Sequence, residues 1–333
     1  MPGKEALFEP ACSKYNYQSM TELVVGTRGS QLALLQARAI VAELAKRAPQ
    51  VTCTIKIIKT TGDKVTEVPL SQIGDKGLFV KEIELALLDG RIDFAVHSAK
   101  DLPSDMDPRL CVAAYPSREE PSDALVSNAG ALFELPAGAV VGTSSVRRRA
   151  QLLAARPDLN VADLRGNLDT RLRKAESGGY DAIVLACAGL RRIKMESRIT
   201  QVLPHDVCLP AAGQGAIAVQ CRAQDATARS LAVLDDPATR ACVEAERALL
   251  RCLGAGCQTP VAALAVPDRG GLRLAALVAS RDGSRVVRTS GAGTIDDPAA
   301  LGSRAAEDLM NAGAGELLDQ ARRDLEPKPT GAA

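Results

Sequence analysis

Tryptophan is absent from this chain of 333 residues, and phenylalanine and tyrosine occur four times each. Alanine, leucine and valine must therefore build the core, and a surface that stacks unpaired bases is short of its material. Histidine occurs only at His97 and His205, and none of the nine cysteines forms a CxxC pair or stands at zinc spacing from a histidine, which argues against a structural zinc site. Free thiols without a secretory signal point to a reducing compartment, hence a cytoplasmic protein. No apolar run approaches the roughly 20 residues that a membrane span needs. Surplus charge is lacking as well: 41 Lys+Arg against 40 Asp+Glu leave a formal net charge of +1. A nonspecific nucleic-acid binder carries a larger basic excess. Any anion site is then a local cluster, and the expected partner is a small molecule, met by a monomer without nucleic acid or membrane.

Residues 1–20, "MPGKEALFEPACSKYNYQSM", contain no arginine and two glutamates. They do not resemble a presequence and are expected to form a flexible extension. The chain then alternates. A short strand at Leu23–Val25 turns at Gly26 and Gly29 into a helix that Ser30 can cap, with Leu34, Ala37, Val41 and Leu44 at helical spacing. The β-branched "VTCTIKIIKT", a helix stopped near Gly90 and a buried strand Asp93–His97 follow, a β-α-β-α-β pattern that argues for a parallel sheet with helices on its faces. The pattern restarts near residue 120, with a strand at Ala139–Val141, a helix, and further strands through "DAIVLA" and "AAGQGAIAVQCR". Two such units predict paired lobes with a cleft between them. From residue 237 the grammar changes to a helix, three strands joined by "PDRGG" and "RDGS", and a helix over 298–312. The Asp-Gly pair signals a hairpin, and a small α+β unit is predicted. The tail "EPKPTGAA" is expected to be disordered.

In "VGTSSVRRRAQLL" three arginines, Arg147, Arg148 and Arg149, open a helix. Its N-terminal turn already carries partial positive charge, so each exposed cation there costs about 0.3–1 kcal/mol unless an anion is present. Both glycine-serine turns lead into helix N-termini, whose free N–H groups suit anions. Arg28, Arg147, Arg148, Arg165 and Arg192 all fall just after predicted strands, where ligands of open parallel sheets bind. Arg149 lies about 200° around the helix from Arg147 and is expected to face away. Lys100 and Asp101 also follow a buried strand. The pair suits proton transfer, and Asp101 equally suits a turn cap. His97 is expected to be a satisfied core residue. Cys257, in the loop "LGAGCQTPVA", is more accessible than the other cysteines, which sit in apolar runs.

Together, "VGTRGSQLALLQA", "GDKGLFVKEIE", "AVHSAKDLP", "VGTSSVRRRAQL", "LRGNLDTRLRK", "LPAAGQGA" and "GAGCQTPVA" resemble the porphobilinogen deaminase (hydroxymethylbilane synthase) family, in order from about residue 22 to 315. The resemblance implies two lobes like those of periplasmic binding proteins and a small α+β third domain. Domain 1 would span 21–118 plus 214–234, domain 2 residues 119–213 and domain 3 residues 237–318, with 319–333 a flexible tail. It implies an enzyme that joins four porphobilinogen molecules into linear hydroxymethylbilane and releases ammonia. Its dipyrromethane cofactor, built from two substrate units, would be attached by a thioether to Cys257. By the same match Asp101 is the catalytic carboxylate. Ser98, Lys100, Ser145, Arg147, Arg148 and Arg171 would hold the cofactor, and Arg28, Ser30, Arg165 and Arg192 the substrate. Ala99 and Ala255 depart from the family pattern, and Arg149 is an extra arginine. A ligand-binding or sensor protein of the same two-lobed form stands as the alternative. It would explain the arginines but would need neither Asp101 beside Lys100 nor an accessible cysteine.

Overall fold

The structure is a computed structural model and describes residues 20–60, 80–256 and 258–324. The expected extension (apart from Met20), Cys257 and the tail from residue 325 lie outside the described residues.

The first lobe begins with β1 (Thr21–Thr27), whose Leu23 and Val25 are buried, and α1 (Gln31–Arg47), capped by the Ser30 side chain accepting from the Ala33 N–H. The α1 face Ala37, Ile40 and Leu44 packs on the sheet. Then come β2 (Val51–Ile57), α2 (Lys81–Leu88), β3 (Phe94–Ser98), a 3-10 turn Ala99–Asp101 and β4 (Leu110–Ala114). The second lobe holds β5 (Asp123–Ser127), β6 (Val140–Gly142), α3 (Val146–Ala155), β7 (Asn160–Ala162), α4 (Leu168–Glu176), β8 (Ala182–Ala186), α5 (Cys187–Arg192) and β9 (Gln201–Val202). The chain returns to the first lobe for β10 (Ile217–Arg222) and α6 (Ala226–Leu231). The third unit is α7 (Pro237–Leu253), β11 (Val261–Asp268), β12 (Gly271–Ala279), β13 (Val286–Gly293), α8 (Pro298–Leu309) and α9 (Gly315–Arg323).

The two lobe sheets share one plan, β2-β1-β3-β10-β4 and β7-β6-β8-β5-β9. Both are mixed rather than parallel as the sequence predicts. In each, four strands run one way and the fifth runs against them, β10 antiparallel to β3 and β4, and β5 antiparallel to β8 and β9. The cause is the route of the chain. β5 and β10 are each entered through a crossover from the other lobe, and so each runs against its neighbours.

The third unit is an antiparallel sheet, β11-β12-β13, whose apolar face and the inner faces of α7, α8 and α9 form one core. Helix 298–312 is predicted as continuous. Instead α8 ends at Leu309, Gly313 adopts φ 90° within a wider turn, and α9 continues to Arg323. Residues 319–323, expected to belong to the flexible tail, are thus helical. Leu317, Leu318 and Ala321 bury one α9 face, and Arg322 donates to the Leu253 carbonyl.

Candidate functional site

The same local unit recurs in both lobes. A strand ends in a tight turn, a serine caps the next helix, and the free N–H groups of that helix are left at the strand's carboxyl end. In the first lobe this is β1, Ser30 and α1. In the second it is β6, Ser145 and α3, where the Ser145 hydroxyl accepts from the Arg148 N–H. Between the lobes lies a cleft of about 850 Å³. It is lined by Arg28, Ser30, Ser98, Lys100, Asp101, Arg148, Arg165, Arg171 and Arg192, so nine of the residues singled out in the sequence share one site. Lys59, Ser144 and Lys174 line it too.

Among the described residues, eight lysine and arginine side chains line the cleft against two carboxylates, Asp101 and Asp169. In a protein of net charge +1, that is a concentrated positive field. Its cost shows in the titration of its members. Burial first, and then Arg148, pull Lys100 down to about 8, with Asp101 and Asp123 acting the other way. Burial and then Arg148 likewise lower Arg171 to about 10. Burial lowers Arg192, which donates to the Gly215 carbonyl at 2.6 Å. Arg171 donates to the Gly166 carbonyl through Nε, which orients the guanidinium and leaves its other N–H groups for a ligand.

Two expected site residues are placed otherwise. Arg147 is not among the cleft-lining residues. Its Nη1 donates to the Asp123 carboxylate at 2.7 Å and to the Leu209 carbonyl at 2.7 Å, and its side chain is buried. Ser145 is occupied as the α3 cap, and its neighbour Ser144 lines the cleft instead. Arg148 does both jobs. Its Nε and Nη2 bind Asp123 at 3.0 and 2.7 Å while it lines the cleft. Part of the anion that the arginine run calls for is thus a protein carboxylate. Burial opposes the ionisation of Asp123, but the two guanidiniums outweigh it and hold the carboxyl far below the ordinary range. Asp123 is missing from the expected set, although an acid opening the otherwise apolar strand "DALVS" was a visible signal. Arg149 is exposed and donates to the Val161 carbonyl. His97 is buried, bonds Gln220 at 3.1 Å and is lowered by burial to about 4, a core histidine.

Among the described residues no group of three or more His, Cys, Asp or Glu is placed to hold a metal, and no helix is long and apolar enough to cross a membrane. A ligand with several carboxylates fits the cleft on charge grounds: it would offset the burial, and the repulsion from Arg148, that lower Lys100 and Arg171. A dipyrromethane, with an acetate and a propionate on each ring, is such a group.

A family model described as porphobilinogen deaminase, dipyrromethane cofactor binding domain, matches residues 23–230, and one for the porphobilinogen deaminase C-terminal domain matches 240–311. The porphobilinogen deaminase of Desulforudis audaxviator is 52% identical over 303 residues, 90% of this chain and 98% of that one. That of Roseiflexus castenholzii is 52% identical over 298 residues, 89% of this chain and 98% of that one, and that of Moorella thermoacetica is 50% identical over 305 residues, 91% and 97%. Among solved structures, the VFT2 domain of Bordetella pertussis BvgS is 15% identical over 65% of this chain and 87% of its own, with a TM-score of 0.41. Fold and cleft define a two-lobed α/β protein whose cleft suits a small polycarboxylate. Within that class, the chain belongs to the porphobilinogen deaminase family and carries its dipyrromethane-binding domain. Its activity is the family's: four porphobilinogen molecules are joined into linear hydroxymethylbilane with release of ammonia, by stepwise extension of the dipyrromethane.

Proposed function

We propose that Asp101 is the catalytic carboxylate of this reaction and that Cys257 carries the dipyrromethane through a thioether. The bound group supplies a terminal pyrrole with a free α-carbon, to which each porphobilinogen is joined. Loss of ammonia from porphobilinogen leaves positive charge on its pyrrole nitrogen, and a proton must later leave a ring carbon. A carboxylate beside that nitrogen stabilises the charge and accepts the proton, which the surrounding arginines cannot do. The observation that carries this role is the lining of the cleft, where Asp101 stands at the end of β3 among the cations. Lys100, Arg148 and Arg171 bind the cofactor carboxylates, and Arg28, Arg165 and Arg192 bind those of the substrate, arginine forks taking carboxylates bidentately. Ser30 and Ser98 supply hydroxyl contacts. Ser145 and Arg147 support the site from behind it, through the α3 cap and through Asp123.

Support for Cys257 comes from its neighbours. It follows α7 by a few residues, and α7 runs beside the Asp101 turn, where Arg247 donates to the Leu102 and Pro103 carbonyls. The domain division is 21–118 with 214–234, then 119–213, then a third domain from 237 that we extend from 318 to 323. The protein acts as a cytoplasmic monomer without nucleic acid, which light scattering and salt-dependent DNA-binding assays check. The central test is intact mass. The purified protein should exceed its chain mass by one dipyrromethane, and Cys257→Ser should remove the excess. An active protein of unmodified mass overturns the proposal.

A further inference from the structure

The motif "LPAAGQGA" has so far been given no role, yet its Gly213-Gln214-Gly215 core sits where the whole molecule meets. Both glycines adopt left-handed backbone, φ +73° and φ +86°. A Cβ on Gly213 would press on the backbone of Ala99 and Lys100 at 3.0 Å, and one on Gly215 would run into the Glu119 carbonyl. The Gly213 N–H donates to Glu246 in α7, and Arg118 on the first crossover donates to the Gln214 carbonyl at 2.8 Å. The segment is therefore wedged between the turn that bears Asp101, both crossovers and the third unit.

The Gln214 side chain is fully buried in this wedge. Its Oε1 accepts from Lys100 Nζ at 3.2 Å, and its Nε2 donates to the Pro121 carbonyl at 2.6 Å and to Asp123 Oδ1 at 2.8 Å. These partners settle the amide orientation, with one cation at the oxygen and two acceptors at the nitrogen. They also account for the residue type. A glutamate would turn an acceptor toward Pro121 and Asp123, and an apolar side chain would leave Lys100 without this acceptor. An amide alone offers opposite polarity at its two ends. Asp123 in turn holds Arg148, so an unbroken chain of hydrogen bonds runs Lys100–Gln214–Asp123–Arg148 from one lobe to the other.

We propose that Gln214 is a positioning residue of the deaminase reaction, which holds the Lys100 ammonium in the cleft and ties it to the Asp123–Arg148 pair of the opposite lobe. The proposal rests on the role given above to Lys100. Its acceptor favours the charged form, and burial already pulls this lysine down to about 8. Without Gln214, Lys100 loses its proton nearer neutrality and no longer grips a carboxylate.

The test is an NMR pH titration of protein labelled at the lysine ε-carbon, with the Lys100 signal assigned as the one missing from Lys100→Arg. Gln214→Met should lower the Lys100 midpoint by about one pH unit, a tenfold loss of proton affinity. The alkaline limb of ammonia release should move down with it. A folded Gln214→Met protein whose Lys100 midpoint stays put overturns the proposal. Should that variant not fold, the unmutated protein still decides. Its Gln214 side-chain amide signals should shift with the Lys100 midpoint and lose that transition in Lys100→Arg, and an amide silent across the transition overturns it equally. These signals are read whether or not the protein turns over, so failure of the deaminase reading, seen as absent cofactor mass and no ammonia, remains distinguishable.

Discussion

Three adjacent arginines meet three fates. Arg147 and Arg148 close on Asp123, and Arg149 faces out to the Val161 carbonyl. Removing one partner of a buried ion cluster leaves uncompensated charge, at a cost of about 3–5 kcal/mol. Asp123→Ala, which strands two guanidiniums, should fall at the upper end in urea unfolding. Arg147→Ala should also destabilise, through its lost bonds to Asp123 and the Leu209 carbonyl, but by less, because Arg148 still neutralises the carboxylate and Gln151 still donates to that carbonyl. Arg149→Ala should change stability by less than about 0.5 kcal/mol. Equal losses at 147 and 149 would contradict this division. Asp101→Asn, nearly isosteric, should keep the fold and lose about 10²–10³ in single-turnover ammonia release, with Asp101→Glu retaining part of the rate. The pH dependence has a definite sign. His97 is lowered to about 4 by burial, so the unfolded chain binds its proton first. Stability should fall as pH drops from about 6.5 to about 4, and the His97→Gln variant should lose part of that slope. Asp123, held low, contributes stability that is complete above the unfolded carboxyl value of about 3.9 and is lost only in stronger acid. Asp123 itself stands out at the head of its strand, but its pairing with these arginines was not legible, because it lies over twenty residues upstream of them and only the fold brings the two together.

At the scale of elements, the strand–turn–helix units were legible because local chemistry fixes them. Ser30 caps as its position predicts, and Ser145, expected to hold the cofactor, caps α3 in the same way. Ser145→Ala should cost about 0.5–2 kcal/mol and loosen the first turn of α3, seen as faster amide exchange at Arg148. Strand direction was not legible, since it depends on which lobe a strand comes from rather than on its own residues. The α8–α9 break was missed for a related reason. Leu317, Leu318 and Ala321 carry a helical pattern, but the charged stretch after them reads as tail. Close packing is equally invisible in sequence. A Cβ on Gly302 would overlap the Ala245 carbonyl and approach Ala248 and Leu249, so α7 and α8 touch nearly backbone to backbone there. Gly302→Ala should force them apart and cost about 1–3 kcal/mol in urea unfolding, despite alanine's better helix propensity.

For the whole molecule, a chain of almost no net charge gathers eight cations of its described residues into one cleft, and the unloaded state bears their repulsion. The unloaded Cys257→Ser protein should gain thermal stability from citrate well beyond that from chloride at equal ionic strength, and the gain should shrink in Arg171→Ala. Equal gains from both salts would mean that the cleft holds no concentrated anion site.

The interleaving of the lobes bears on how the protein is made. β10 sits between β3 and β4 in the first sheet, yet it is translated after the entire second lobe. As the chain leaves the ribosome, the lobe begun first cannot finish first. β3 and β4 wait with open edges while residues 123–202 emerge and can close their own sheet. A nascent chain released at residue 212 should therefore resist protease across its later half and be cut across its earlier one, with protection of residues 94–114 appearing only once Arg222 has cleared the exit tunnel. Chaperones that shield exposed strand edges would be needed most during that interval, and a nonsense mutation within it would yield a product half folded in the reverse of the order of its synthesis.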